Sequence, residues 1–197
     1  MSYSRPGAPS QRWQDFVQTR PILSLAIVGI IATQLGTYFG YVFPAVGLPV
    51  LPWPLYNGIL GTTLVDGFSG ATVDGFVVSS DSFFVGHSLH FINGIVFAVL
   101  WGVMFREDVS KFIRNNVARG LVYGVIMTII SAGLLVPYAY VPNQGYGLFL
   151  FDGPDGWKLP FGILIWHLIY GLFLGLLWNP KDDEAAATAQ YGHISIW

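Results

Sequence analysis

At 197 residues, 53% of them hydrophobic and 10% charged, the chain has too few ionisable groups (9 Lys and Arg, 11 Asp and Glu) to clothe a water-soluble domain of this size, for which roughly 25% charged residues is usual. The net charge of −2 leaves no basic footprint for nucleic acid. Without cysteine there is no disulfide, no thiol nucleophile, no Cys-ligated iron–sulfur cluster and no CxxCH haem attachment.

In chain order, residues 1–20 form an arm on the cytoplasmic side. From Ser10 to Arg20, Trp13, Phe16 and Val17 share one helical face, and Ser10 is placed to cap the helix. Such an arm suits the membrane interface. Arg5, Arg12 and Arg20 precede an apolar run too long for a signal-peptide core, with no small-residue cleavage site after it. Four stretches meet the requirement of about 20 apolar residues per spanning helix: Pro21 to Phe43, His87 to Phe105, Gly120 to Val141 and Pro160 to Trp178. None carries Asp, Glu, Lys or Arg in its interior.

Between the first two spans lies a long loop, 44–86. It opens with Pro44, Pro49, Pro52 and Pro54, then repeats Val65-Asp66-Gly67-Phe68 as Val73-Asp74-Gly75-Phe76. Asp-Gly marks turns, and the flanking Thr, Val and Phe favour strands, so a small hairpin or a lid is expected. Segment 106–119 is a basic loop. Loop 142–159 carries Asp152-Gly153 and Asp155-Gly156, which read as turns because no calcium-loop spacing is present. In the tail, 179–197, Asp182, Asp183 and Glu184 open an Ala-rich stretch, and the chain finishes apolar at Ile194 to Trp197.

Lys and Arg set the direction of insertion. The arm holds three, segment 106–119 holds four, loop 44–86 none, and loop 142–159 only Lys158. Both termini are therefore expected in the cytoplasm and both long loops outside, in a bacterial inner membrane. Trp53, Trp157 and Trp166 would mark the outer interface, and Trp13, Trp101 and Trp178 the inner one.

The second and fourth spans align at a shift of 77, which pairs His90 with His167, Gly94 with Gly171, Ala98 with Gly175 and Trp101 with Trp178. The first and third align at 99, pairing Arg20 with Arg119 and Tyr41-Val42 with Tyr140-Val141. The expected architecture is thus all-α: four transmembrane helices from tandem duplication of a two-helix unit, residues 21–105 and 120–178. Gly94, Ala98, Gly171, Gly175, Gly36 and Gly40 form small-residue stripes. These let helix backbones approach inside lipid, within the bundle or against a partner's helix.

Polar residues inside a bilayer are the first place to look for function: His87, His90, Asn93, Gln34, Thr33, Thr37, Ser131 and His167. His87 and His90, three apart, share a face, and His167 is expected at a similar depth near the outer surface. Together these histidines could hold copper, a haem, a chlorophyll-type pigment or a quinone oxygen. The competing reading is hydrogen bonding across the bundle. No Ser–His–Asp set, phosphate-binding loop or metalloprotease motif appears, so no catalytic residue is assigned. The functional expectations, in order, are three. The first is an accessory subunit of an electron-transfer, photosynthetic or monooxygenase complex, packed against other membrane subunits. The second is a small cofactor-binding protein using His87, His90 and His167. The third is a carrier of an uncharged or lipid-like solute.

Overall fold

Apolar runs of this length leave the backbone no partner but itself, so helices are dictated wherever the chain enters lipid. In a computed structural model of the chain, residues 9–66, 80–105, 112–140 and 145–180 are described, and no strand occurs among them. Helix α1 spans Pro9–Thr19, and α2 spans Pro21–Val42 before tightening into a 3₁₀ turn over Phe43–Val46. Helix α3 is Trp53–Asp66, and α4 is Ser80–Leu100 with a wide π-helical end at Trp101–Phe105. Helix α5 is Asn116–Ile130 and continues as π-helix through Ser131–Tyr140, while α6 is Lys158–Leu177. Four segments, Pro21–Val46, Phe84–Val103, Asn116–Tyr140 and Lys158–Leu177, are long and apolar enough to cross a membrane. The chain is an all-helical protein suited to a lipid bilayer.

Helix α2 packs on both α4 and α6, and α6 packs on α5, whereas α4 and α5 approach each other only sparsely. Glycine sets the close contacts. A Cβ on Gly29 would stand 2.6 Å from the Gly94 carbonyl oxygen and 2.9 Å from the Ala98 methyl. On the other side of the bundle, Gly120 lies against Gly171 and Gly175, each of their would-be Cβ atoms striking backbone across the interface. Gly36 is covered by the Trp166 ring, with the indole carbon Cε2 2.8 Å from the position of a Cβ, and Gly40 faces the Leu51 carbonyl. The small-residue stripes of the described spans are therefore occupied by this chain's own helices.

At one end, side-chain donors close off the last turn of α6, whose carbonyls have no intrahelical partner. Asn116 Nδ2 donates to the carbonyls of Gly175 and Trp178, both at 2.8 Å. Trp13 Nε1 donates to Leu177 O at 2.7 Å, which docks α1 on the bundle with Val17 buried beneath it. Trp178 Nε1 donates to Ser24 Oγ at 3.0 Å. Arg119 is buried here rather than lying in a solvated loop, its Nε donating to Ile113 O at 2.5 Å.

Several expectations change. The third span starts at Asn116, four residues before Gly120, because Asn115 caps it by accepting from Ala118 N at 3.0 Å. Helix α1 begins at Pro9, so Ser10 lies inside it and is not its cap. Trp53, Trp101, Trp166 and Trp178 are buried in the bundle, while Trp157 is 61% exposed. Pro137 sits in the wide π-helical half of the third span, a break that the run of apolar residues conceals. The Asp152 and Asp155 region does turn, with Gly153 N bonding Leu150 O and Gly156 N bonding Gly153 O.

The largest change is in loop 44–86, where residues 53–66 form a helix; the hairpin or lid expected from the repeat at 65–76 falls almost wholly on residues 67–79, outside the described ones. Pro52 and Pro54 stand at its first turn, where proline's missing N–H costs nothing, and Leu55 N and Tyr56 N bond Pro52 O. Buried Gly58 and Gly61 face α4. There Gly86 presses on the Pro54 carbonyl, and a Cβ on Gly61 would meet the Leu89 side chain at 2.6 Å. Close packing thus overrides the strand preference of Thr62, Thr63 and Val65. The second Val-Asp-Gly-Phe, at 73–76, and the tail beyond residue 180 lie outside the described residues.

Candidate functional site

Polar side chains from five helices meet in the middle of the bundle. Helix α2 contributes Thr33 and Thr37, α3 contributes Trp53 and Asn57, and α4 contributes His90 and Asn93. Thr128, Ser131 and Tyr140 come from the third span, and Trp166, His167 and Tyr170 from α6. Trp53 is positioned by the short crossing before it: Leu51, fully buried, donates its N–H to Gly40 O at 3.1 Å, and Trp53 N bonds Leu51 O.

The bonding around His90 fixes its tautomer. Thr37 Oγ1 donates its proton to Thr33 O at 2.8 Å, so it must accept from His90 Nε2, 2.7 Å away. His90 Nδ1 then accepts from Asn57 Nδ2 at 3.3 Å, a group that also donates to Trp53 O. Asn93 Nδ2 donates to Asn57 Oδ1 at 2.5 Å and to Tyr140 Oη at 3.2 Å, and Tyr140 in turn reaches Asn57 Oδ1 at 3.4 Å. Both ring nitrogens of His90 are thereby engaged by protein. This network pins α3 to α2, α4 and the third span.

His167 differs. Its Nδ1 lies 3.0 Å from Ile163 O, which can only accept, so Nδ1 carries the proton. Thr128 Oγ1, back-bonded to Gly124 O at 2.8 Å, lies 3.4 Å from the same nitrogen. Nε2 is left as a lone-pair acceptor with no partner among the described residues. His167 stands about halfway along α6, Lys158–Leu177, and so at mid-span rather than near the outer surface. His87 is half-buried, one turn from His90, and lines neither of the cavities below. Gln34 is half-buried and takes no part in the network.

Between these groups lies a chamber of about 50 Å³, lined by Thr33, Trp53, Asn57, His90, Trp166 and His167 among others. Trp53 and Trp166 meet edge to face at 5.9 Å, and Trp166 stacks on Tyr170, whose hydroxyl donates to Gly94 O at 2.6 Å. Three buried polar atoms of the lining, Thr33 Oγ1, Trp53 Nε1 and Trp166 Nε1, have no hydrogen-bond partner. A second, more apolar cavity of about 90 Å³ adjoins it and shares Phe97, Met127, Ser131 and His167. Among the described residues, no Asp, Glu, Lys or Arg lines either space. No group of three His, Cys, Asp or Glu able to hold a metal gathers among the described residues.

Of the histidines singled out in the sequence, His90 and His167 thus come to one chamber and His87 stays beside it. Sequence reasoning missed Asn57, Trp53 and Trp166. The signal for Asn57 was present, since it is the lone amide in the apolar run Trp53–Leu60, but it counts only once that run is read as a helix. No protein-family model, no curated protein and no solved structure matches the chain, so its site is known only from its own residues.

Proposed function

We propose that this is a multi-pass membrane protein that holds a small uncharged ligand in the chamber between its two histidine-bearing helices. One observation carries the reading: three buried hydrogen-bond donors without partners belong to residues that line a single 50 Å³ space. An unsatisfied buried donor costs about 1–3 kcal/mol, and lipid offers no water in its place. Three such residues around one chamber favour an acceptor oxygen there, which a ligand can supply in place of a buried water. The donors, with His167 Nε2 and the Ser131 hydroxyl as open acceptors, suit a neutral carbonyl or hydroxyl oxygen. A quinone-like head is within this class. A haem, a chlorophyll-type pigment or copper finds less support, because His90 has no free nitrogen to offer a metal.

The test is to purify the protein from its native membrane in mild detergent and run size exclusion with absorbance. The eluted particle is then extracted for mass spectrometry. A neutral small molecule near equimolar with the chain, depleted by Trp53→Phe and Trp166→Phe, is the expected result. A particle that carries no such molecule, and that either substitution leaves as stable or stabilises, overturns the proposal.

The same elution tests a second reading, an accessory subunit of a larger inner-membrane assembly. It is favoured by Leu148, Phe151 and Trp157, each more than half exposed and outside the four spans. Co-elution with other polypeptides would establish it. We also propose that the spans arose by tandem duplication. Gly29 meets Gly94 and Ala98 as Gly120 meets Gly171 and Gly175, and Thr37 meets His90 as Thr128 meets His167. Under this proposal the contacts pair the first and third spans at an offset of 91 residues (29 to 120, 37 to 128), where their apolar identities pair at 99.

A further inference from the structure

The bundle has one unsealed side. Helices α2–α4, α2–α6 and α5–α6 pack closely, but α4 and α5 do not. Toward one end α3 covers this seam, through Asn57 and its bonds to Asn93 and Tyr140. Toward the other, Tyr123 bridges it by donating to Phe97 O at 2.8 Å, with its ring 5.4 Å from that of Trp101. Between these closures lies the 90 Å³ cavity, walled by Phe97, Leu100, Ile126, Ile130 and Leu135. Ile130 on its rim is 41% exposed, and Leu100 and Ile126 are half-buried, so the cavity is a groove that opens sideways toward lipid. Its inner end is Met127, Ser131 and His167, which are also walls of the polar chamber.

We infer that groove and chamber form one continuous site for an uncharged amphiphile drawn from the bilayer, its hydrocarbon in the groove and its oxygen-bearing head in the chamber. The inference rests on the ligand-binding reading above and names both the ligand class and the route. The polarity of the walls specifies the molecule. The outer portion offers only apolar side chains, and a hydrocarbon there exchanges lipid contacts for protein contacts. The inner portion is walled by Thr33, Trp53, Ser131, Trp166 and His167, residues that carry N–H and hydroxyl donors and the His167 lone pair. With no charged residue on either wall among the described residues, a phosphate, carboxylate or ammonium head would be buried unpaired, at a cost of several kcal/mol. A carbonyl head takes the donors, and a hydroxyl head can also donate to His167 Nε2. A quinone-type ring and a long-chain alcohol share that chemistry, and the competition arms below separate them.

The experiment uses the full chain in lipid nanodiscs and a long-chain alcohol bearing a photoreactive diazirine in mid-chain. Crosslinked residues are mapped by mass spectrometry. Labelling is expected at Phe97, Ile126, Ile130 and Leu135, above that at the exposed α2 residues Ile30 and Ile31. A neutral alcohol or ubiquinone-type competitor should suppress it, and an alkyl sulfate of equal length should not. The more effective neutral competitor identifies the head. Filling the groove with Ile130→Trp, or with Leu100→Trp should the first fail to fold, should weaken labelling about tenfold, the scale on which a blocked apolar site discriminates. Labelling that ignores head charge would reduce the groove to ordinary lipid contact and overturn the inference. Labelling no stronger than at Ile30 and Ile31, with an equimolar ligand still co-purifying, would overturn the route alone. With neither labelling nor ligand, both proposals fall.

Discussion

Asn57 is the residue on which the interior network turns. Its amide nitrogen serves Trp53 O and His90 Nδ1, and its oxygen accepts from Asn93 and Tyr140. Asn57→Leu preserves volume but leaves His90, Asn93 and Tyr140 facing hydrocarbon. The expected loss is about 1–3 kcal/mol of stability, because partners left unsatisfied cost more than the bond itself returns. Thermal unfolding in detergent measures it. The cycle with Asn93→Ala should be strongly non-additive, since both substitutions break the same contacts. Additive losses would mean that the two amides act separately. His90→Ala should likewise destabilise, whereas His167→Ala, where Nε2 bonds nothing among the described residues, should cost less stability and more ligand.

Glycine decides how the helices pair, and it divides into positions that can and cannot carry a methyl group. Gly171→Ala would drive a Cβ into the Gly120 carbonyl, and Gly120→Ala would do the reverse, so α5 and α6 must separate. Overpacking of this kind costs typically 1–3 kcal/mol. Gly162 lies in the same helix as Gly171, with its nearest neighbours at 3.6 Å, an ordinary contact distance. Gly162→Ala should therefore raise stability by about 0.5–1 kcal/mol, the usual gain on removing a mid-helix glycine. Melting temperatures moving in opposite directions would bear this out, and a common direction would refute it. The stripes at Gly94, Gly171 and Gly175 were legible because small residues four apart have little other use in lipid. Helix α3 was not legible. At 14 residues it is too short for a hydropathy window, and its strand-favouring residues are held helical by Gly86 pressing on Pro54, a contact more than 30 positions away that no local pattern reveals. The chamber was half legible for the same reason: the two histidines lie on long spans, but Asn57, which bonds His90, and Trp53, which walls the chamber, come from α3.

At the scale of the whole molecule, the four spans were legible because about 20 apolar residues without charge have no other stable home. Their direction in the membrane is a separate matter. The hydrogen bond from Trp13 to the Leu177 carbonyl places α1 and the end of α6 at one face of the bundle. The Phe43–Val46 turn and the Gly145–Trp157 segment join helices at the opposite face. Arg12, Arg20 and Arg114 lie at the first face and Lys158 alone at the second among the described residues, so the positive-inside rule predicts a cytoplasmic first face. The natural absence of cysteine allows a direct check, because a single introduced thiol is the only one present. Ser10→Cys and Arg114→Cys, both at exposed positions, should resist a membrane-impermeant maleimide in intact cells and react once the membrane is opened. Gly145→Cys and Trp157→Cys, equally exposed, should react in intact cells. The reverse pattern would invert the protein and place the basic residues outside. Reaction of all four in intact cells would contradict the four-span reading, because an impermeant reagent cannot reach both faces of a sealed bilayer.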